Sequence, residues 1–277
     1  MKTFKINLFS NFNESNINLA IGNFDGVHLG HQEVIKKLVK DSIKLNRKSA
    51  ILSFTPHPRQ FFTKNYDDFS IIEESEKIKL FDKLNVDYYI SLEFDYSLAS
   101  LSAEEFVKNI LFNKLNVKNI TVGYDFRFGK DRKGDLELLK KLSNKYNFSV
   151  SVINQVINEK NLIVYSSSII RNHINKGDFE NVSMMLGRNW SISGKVVHGN
   201  KRAAKMNFPT ANINPNNLIK PRKGVYAIKT KYLKKTYNGI ANFGVRPTID
   251  GDKLLLETHL FDFNHDIYGK DLTVEFL

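Results

Sequence analysis

The chain has 277 residues, 42% of them hydrophobic, a formal net charge of +12 and no cysteine. That length suits about two domains, and the absence of Cys excludes disulfides and thiolate metal sites and fits a reducing compartment. Only nine of the 41 basic residues are Arg, and the lysines are scattered rather than gathered in one block, which favours a solvated surface serving phosphate-bearing small substrates over a nucleic-acid groove. In chain order, the start "MKTFKINLFSNFNESNINLA" is broken by Lys and Asn and has no apolar h-region. No later run approaches the ~18 apolar residues of a membrane span, so a cytoplasmic protein with no membrane partner is expected. From Ile17 to about Gly187, β-rich runs alternate with amphipathic ones: "INLAIG" then "HQEVIKKLVKDSIKLN", "SAILSF" then "EESEKIKLFDKL", "VDYYISL" then "SAEEFVKNILFNKL", "KNITVG" then "DLELLKKLSNKY", then "FSVSVI". Apolar residues recur at three and four in the helical runs, as in Val34, Leu38 and Ile35, Val39. Ser102 with Glu105 reads as a capping box. This alternation predicts a doubly wound α/β domain with a mostly parallel sheet.

After Trp190 the runs "WSISGKVVHG", "GVYAIKTKYL", "YNGIANFGV", "KLLLETHLFDF" and "DLTVEFL" are short and β-rich, separated by Gly, Pro and Asn. They predict a small antiparallel β-barrel. The boundary is expected near "LGRNW", dividing the chain into residues 1–187 and 188–277.

The stretch "AIGNFDGVHLGH", residues 20–31, falls at the carboxyl end of the first predicted strand, where open α/β sheets bind ligands. A helix beginning near His28 puts His28 and His31 on one face of its first turn, beside unpaired backbone N–H groups and the positive end of the dipole. Gly30 between them removes a side chain that would block close approach. The result is an anion cradle with two ring donors, suited to the charge that builds on a phosphate under in-line attack. The same residues also read as an ordinary Asp-Gly turn with two histidines capping a helix.

Three further segments change the odds. "GNFDGVHLGH", "LSFTPHPRQF", "VGYDFRFGKDRKGD" and "SSSIIRNHINKGD", followed by "LGRNW", closely resemble the adenylyltransferase module of the bacterial bifunctional riboflavin kinase/FAD synthetases. "GKVVHGNKRAAKMNFPTANI", "KGVYAI", "GIANFGVRPTI" and "ETHLFDFNHDIYGKDLTVEFL" resemble that family's riboflavin kinase module. The resemblance implies an FMN adenylyltransferase domain over 1–187, of nucleotidyltransferase fold, and a riboflavin kinase domain over 188–277. The substrates are then ATP, riboflavin and FMN, with Mg²⁺ as cofactor. His28 and His31 would stabilise the α-phosphate of ATP as the FMN phosphate attacks it, with Gly22, Phe24 and Gly30 completing the nucleotide loop. On "SSSIIR", Ser167, Ser168 and Arg171 would form a second phosphate clamp, Ser168 standing where the family usually has Thr. Asp125 takes a position the family gives to Asn or Asp near nucleotide and flavin, and His57 and Arg59 would contact the FMN phosphate side. Asp125 organising a turn and Arg59 as a plain surface charge are the competing readings.

In "FPTAN", Thr210 and Asn212 are two apart and share a strand face; both offer oxygen, which Mg²⁺ prefers. The resemblance makes them the metal site, makes Glu257 the base that takes the riboflavin 5′-hydroxyl proton, and adds Gly199 to the nucleotide loop. Two departures are visible. Ala203, Ala204 and Asn207 stand where the family usually has Gly, Arg and Gly, so a variant that adenylylates FMN with an impaired kinase module is an alternative. The chain also stops on the apolar run "DLTVEFL", where family members continue into a C-terminal helix, which reads as a truncated kinase module with exposed apolar surface. A nucleic-acid enzyme resembling the class I tRNA synthetases would own a similar His-x-Gly-His turn, but no Lys-Met-Ser-Lys-like loop is present. A non-catalytic flavin carrier has no use for His28, His31, Arg171 and Glu257 together.

Overall fold

The structure, a computed structural model, describes residues 1–157, 164–197, 211–215, 217–248 and 251–277, the side chains of 245–254 excepted. By its internal contacts the chain forms two compact units, Met1–Tyr66 with Glu74–Tyr165, and Asp67–Glu73 with Ser166–Leu277. Each is described by itself.

The first unit runs β1 (Lys2–Ile6), β2 (Ile17–Ile21), α1 (Leu29–Lys44), β3 (Lys48–Thr55), α2 (Pro58–Thr63), α3 (Glu74–Lys83), β4 (Tyr88–Glu93), α4 (Tyr96–Ala99), α5 (Ala103–Phe106), β5 (Val117–Gly123), α6 (Leu136–Tyr146) and β6 (Ser149–Ile153). Its six strands form one parallel sheet in the order β1-β4-β3-β2-β5-β6. Every residue of β2 is buried, as are the first five of β4. Strands buried along their length belong inside a parallel sheet covered on both faces. On α1, Val34, Ile35 and Leu38 are buried, the stripe that the three-four spacing predicts. The expected capping box opens α5: Glu105 N–H donates to Ser102 Oγ at 3.2 Å, and Ser102 N–H donates to Glu105 Oε2 at 2.8 Å. The predicted helix then continues with wider turns through Lys114, its end closed by Leu115 N–H on the Ile110 carbonyl five residues back.

Strand β1 was not among the predicted elements. Only Ile6 of its five residues is buried, because it is an edge strand, and its pairing with β4 comes from tertiary structure rather than from its own pattern. Chain order runs outward from β2 through β3 to β4 on one side, and through β5 to β6 on the other. The strand order therefore reverses between β2 and β5, and the crevice beyond their carboxyl ends is where ligands bind in such sheets.

The second unit contains α7 (Ser167–Lys176), α8 (Phe179–Leu186), β7 (Ser191–Val197), β8 (Ala211–Ile213), β9 (Gly224–Tyr232), β10 (Lys235–Thr248), β11 (Gly251–Leu260) and β12 (Asp271–Phe276). The strands close into an antiparallel barrel in the order β10-β11-β8-β7-β12-β9, with β9 pairing β10. Trp190 anchors α8 and the segment Asp67–Glu73 to this barrel. It stacks on Phe179 at 5.4 Å, contacts Phe276 at 5.0 Å and donates its indole N–H to the Ile71 carbonyl at 2.7 Å. The apolar run at the end is β12, with Leu272, Val274 and Phe276 turned inward and buried.

Candidate functional site

The loop after β2 is built to hold two imidazoles. Gly22 N–H donates to the Leu52 carbonyl at 3.1 Å, continuing the sheet for one residue. The chain then turns through Phe24 (φ 50°), Gly26 (φ 87°) and Val27 (φ 43°), the turn closed by Val27 N–H on the Phe24 carbonyl at 3.1 Å. Positive φ at a β-branched residue is strained, and such strain gathers at sites that need a fixed loop shape. Room for Phe24 comes from Gly22, where a Cβ would approach its ring to 3.2 Å.

His28 is the N-cap of α1, and its Nδ1 accepts the His31 backbone N–H at 3.2 Å. The rings of His28 and His31 stack with centroids 3.5 Å apart and 19° between planes. Phe24 packs edge-on against the His31 ring at 5.2 Å. Both imidazoles therefore sit together at the N-terminus of a sixteen-residue helix, as the spacing predicts. Gly30 has a purpose that the sequence did not show: a Cβ there would lie 3.1 Å from two atoms of the His28 ring. It leaves room for the histidine as well as for a ligand.

Beside this loop lies a cavity of about 710 Å³. Its walls are aromatic, from Phe54 of β3, Phe62 of α2, Phe94 beyond β4, Phe106 of α5, and Phe126 and Phe128 beyond β5; Asn23 of the cradle loop borders it. Phe126 and Phe128 stack with centroids 5.4 Å apart. Basic side chains share the lining: Arg59, Arg127, Lys130 and Arg132. His57 is the N-cap of α2, its Nδ1 accepting the Arg59 N–H at 3.1 Å, and both residues line the cavity as well. Asp125 is exposed on the turn after β5, its Oδ1 3.2 Å from where a Gly123 Cβ would stand. Sequence reasoning missed most of the aromatic wall, since it assembles from five separate segments; "SFTPHPRQFF" and "YDFRFG" carry the only local hint, phenylalanines placed among basic residues.

In the second unit, α7 opens within the run of three serines at 166–168. Ser166 is the N-cap, its Oγ accepting the Ile169 N–H at 3.3 Å, and Ser167 and Ser168 occupy the first turn. Arg171 lies over the Phe69 ring at 4.0 Å and donates from Nε to the Phe69 carbonyl at 2.9 Å. The contact leaves its guanidinium oriented by the Asp67–Glu73 segment.

On the barrel, β8 and β11 set Asn212 directly opposite Glu257, so the two side chains share a face. Asn212 is fully buried, and neither its Oδ1 nor its Nδ2 has a hydrogen-bond partner among the described residues. An amide buried in that state is destabilising by about 1–3 kcal/mol and is the kind of exception that a missing ligand explains. A second cavity, of about 310 Å³, lies on this unit between Thr258, Ala211 and the loop Phe263–Tyr268. Gly199, Thr210, Ala203, Ala204 and Asn207 lie outside the described residues.

Two family models match the chain in tandem: FAD synthetase over residues 11–168 and riboflavin kinase over residues 186–277. A curated protein of Buchnera aphidicola from Schizaphis graminum, named bifunctional riboflavin kinase/FMN adenylyltransferase, is 41% identical over 94% of this chain and 84% of its own length. The chain belongs to the bifunctional riboflavin kinase/FMN adenylyltransferase family. Family members of the same name from Haemophilus influenzae and Escherichia coli K12 are 39% and 36% identical, over 93% and 92% of this chain and 83% and 82% of theirs. A crystal structure from Streptococcus pneumoniae, described as a macrolide-efflux protein, superposes with a TM-score of 0.88 at 31% identity, over 99% of this chain and 90% of that one. Among the described residues of this family member, no helix is long and apolar enough to cross a membrane.

Proposed function

We propose that the chain phosphorylates riboflavin to FMN on the barrel and adenylylates FMN to FAD on the α/β unit, consuming one ATP in each reaction. The observation that carries the second activity is the stacked His28–His31 pair at the N-terminus of α1, bordered by an aromatic cavity with a basic rim. A flat isoalloxazine ring suits the Phe-lined walls, and Arg59, Arg127 or Lys130 suit a phosphate. An oxygen of the FMN phosphate attacks the α-phosphorus of ATP, the bond to the β-phosphate oxygen breaks, and pyrophosphate leaves. His28 and His31, with the positive end of the α1 dipole, hold the charge on the α-phosphate oxygens; a donor of this kind contributes ~10²–10³ in rate. His57 orders the turn that carries Arg59, and Gly22, Phe24 and Gly30 give the loop its shape. Asp125 is assigned to the flavin side, and Ser167, Ser168 and Arg171 of α7 are assigned to phosphate binding.

For the kinase, Glu257 takes the proton of the riboflavin 5′-hydroxyl as that oxygen attacks the γ-phosphorus of ATP and ADP leaves. Thr210 and Asn212 would hold Mg²⁺, and the buried Oδ1 of Asn212, without a partner among the described residues, fits a hard cation. When bound, the ion neutralises charge on the transferring phosphoryl group. Gly199 belongs to the adjoining nucleotide loop. The order of the two family matches, 11–168 and then 186–277, supports adenylyl transfer on the N-terminal part and phosphorylation on the C-terminal part, and the lack of cysteine supports a cytoplasmic site of action.

A chromatographic product assay tests this, with Mg-ATP and either riboflavin or FMN in separate tubes. FAD from both is the expected result. FAD from FMN alone confines the activity to the α/β unit and removes the kinase reading; neither product from a folded sample removes both.

A further inference from the structure

The loop that is read as a phosphate cradle carries a carboxylate of its own. Asp25 is only 5% exposed, two residues from the bordering Asn23 and three from His28. A buried carboxylate there opposes the binding of a triphosphate unless a cation offsets it.

Helix α3 supplies that cation. Glu74, Lys77 and Phe81 follow one another at three and four residues, so they share a face of the helix. Phe81 is fully buried and meets the Phe24 ring edge-on at 5.9 Å. Lys77 reaches from the same face and donates from Nζ to the Asn23 carbonyl at 3.1 Å. Glu74 accepts the Tyr89 hydroxyl at 3.0 Å, which holds this end of α3 to β4. Burial lowers the Lys77 pKa, while the charges of Asp25 and Glu74 act to raise it. The Lys77 ammonium thus feels both carboxylates, and it grips the loop where the chain enters its strained turn at Phe24 and Val27.

We propose that Lys77 is a positioning residue for adenylyl transfer, fixing the Asn23 carbonyl and offsetting Asp25 so that the loop presents donors, and not net negative charge, to the ATP phosphates. This rests on the reading of the loop as the ATP site. Lys77 touches no reacting atom; it acts through the loop.

The test uses the full chain and follows FAD formation from FMN and riboflavin phosphorylation in the same preparations. If the wild-type protein makes no FAD, the reading of the loop fails, whatever Lys77 does. Given wild-type activity, Lys77→Met should lower kcat/KM for ATP in adenylylation about tenfold or more, chiefly through KM, with riboflavin phosphorylation within about twofold. Lys77→Arg keeps the charge and should recover most of the loss. Adding Asp25→Asn to Lys77→Met should recover part of it, because the carboxylate that opposes the phosphates is gone. The proposal is overturned if Lys77→Met stays within about twofold of wild type, if both activities fall together with the melting temperature, or if neither Lys77→Arg nor the double variant improves on Lys77→Met.

Discussion

Substitution of His28 separates the two things its ring does. As N-cap it accepts the His31 N–H at 3.2 Å, and loss of such a cap destabilises a protein by about 1 kcal/mol, or ~2–4 °C in melting temperature for a unit of this size. As a donor to the α-phosphate it is worth ~10²–10³ in rate, or about 3–4 kcal/mol of transition-state stabilisation. His28→Ala removes both and should nearly abolish FAD formation from FMN. His28→Ser restores the cap, since serine is among the best N-cap residues, with a side chain too short to replace the imidazole. It should regain much of the lost stability and little of the activity. Riboflavin phosphorylation should be spared in both variants. The assays are thermal unfolding and the two product assays on one preparation. The reasoning is refuted if His28→Ser makes FAD within about tenfold of wild type, or if FMN formation falls as steeply as FAD formation.

The other expectations concern neighbouring or opposing residues. Gly30→Ala puts a Cβ 3.1 Å from the His28 ring, so the ring must shift; adenylylation should fall severalfold or more with little loss of stability, and an unchanged kcat would show that the ring position is unimportant. Glu257→Gln keeps the shape of the side chain and removes the base, worth ~10²–10⁴; an undiminished riboflavin kinase rate would exclude Glu257 from that role. Asn212→Leu replaces an amide that has no partner among the described residues with an apolar group of similar size. The barrel should unfold at the same or a higher temperature while kinase activity is lost, and a large loss of stability would mean that Asn212 is a packing residue rather than a ligand.

What could be read from the sequence was local. The His28/His31 pair, the capping box at Ser102 and the buried stripe of α1 each depend on spacing within one turn or two, and each stands in the structure as the spacing predicts. Features made by distant segments were hidden. Strand β1 has one buried residue in five and acquires its identity from β4. The aromatic cavity draws on residues from Phe54 to Phe128, which no local pattern connects. The cap of α7 is Ser166, which the sequence does not single out, since three successive serines leave the register undetermined. Lys77 lies in "EESEKIKLF", where it reads as one more solvated lysine; only the fold shows that the Glu74-Lys77-Phe81 face looks onto the cradle loop.

The two candidate sites meet the same problem, excess negative charge on a phosphate, with different means, and each fold explains the choice. A parallel α/β sheet places a helix N-terminus after nearly every strand, so its crevice comes with free N–H groups and a favourable dipole. Two imidazoles added to the first turn of α1 extend that array, and Lys77, whose Nζ holds the Asn23 carbonyl of the same loop, adds a positive group beneath it on our proposal. An antiparallel barrel offers no such helix end on its strands. Its polar side chains must be set across a ladder, as Asn212 is opposite Glu257, and an amide with both atoms buried and without a partner among the described residues is one that a bound ligand would satisfy. Ligand binding to such a site adds stability. Magnesium with ADP should therefore raise the unfolding temperature of the barrel in the wild-type protein and leave it unmoved in Asn212→Leu. An equal shift in both would detach Asn212 from the metal.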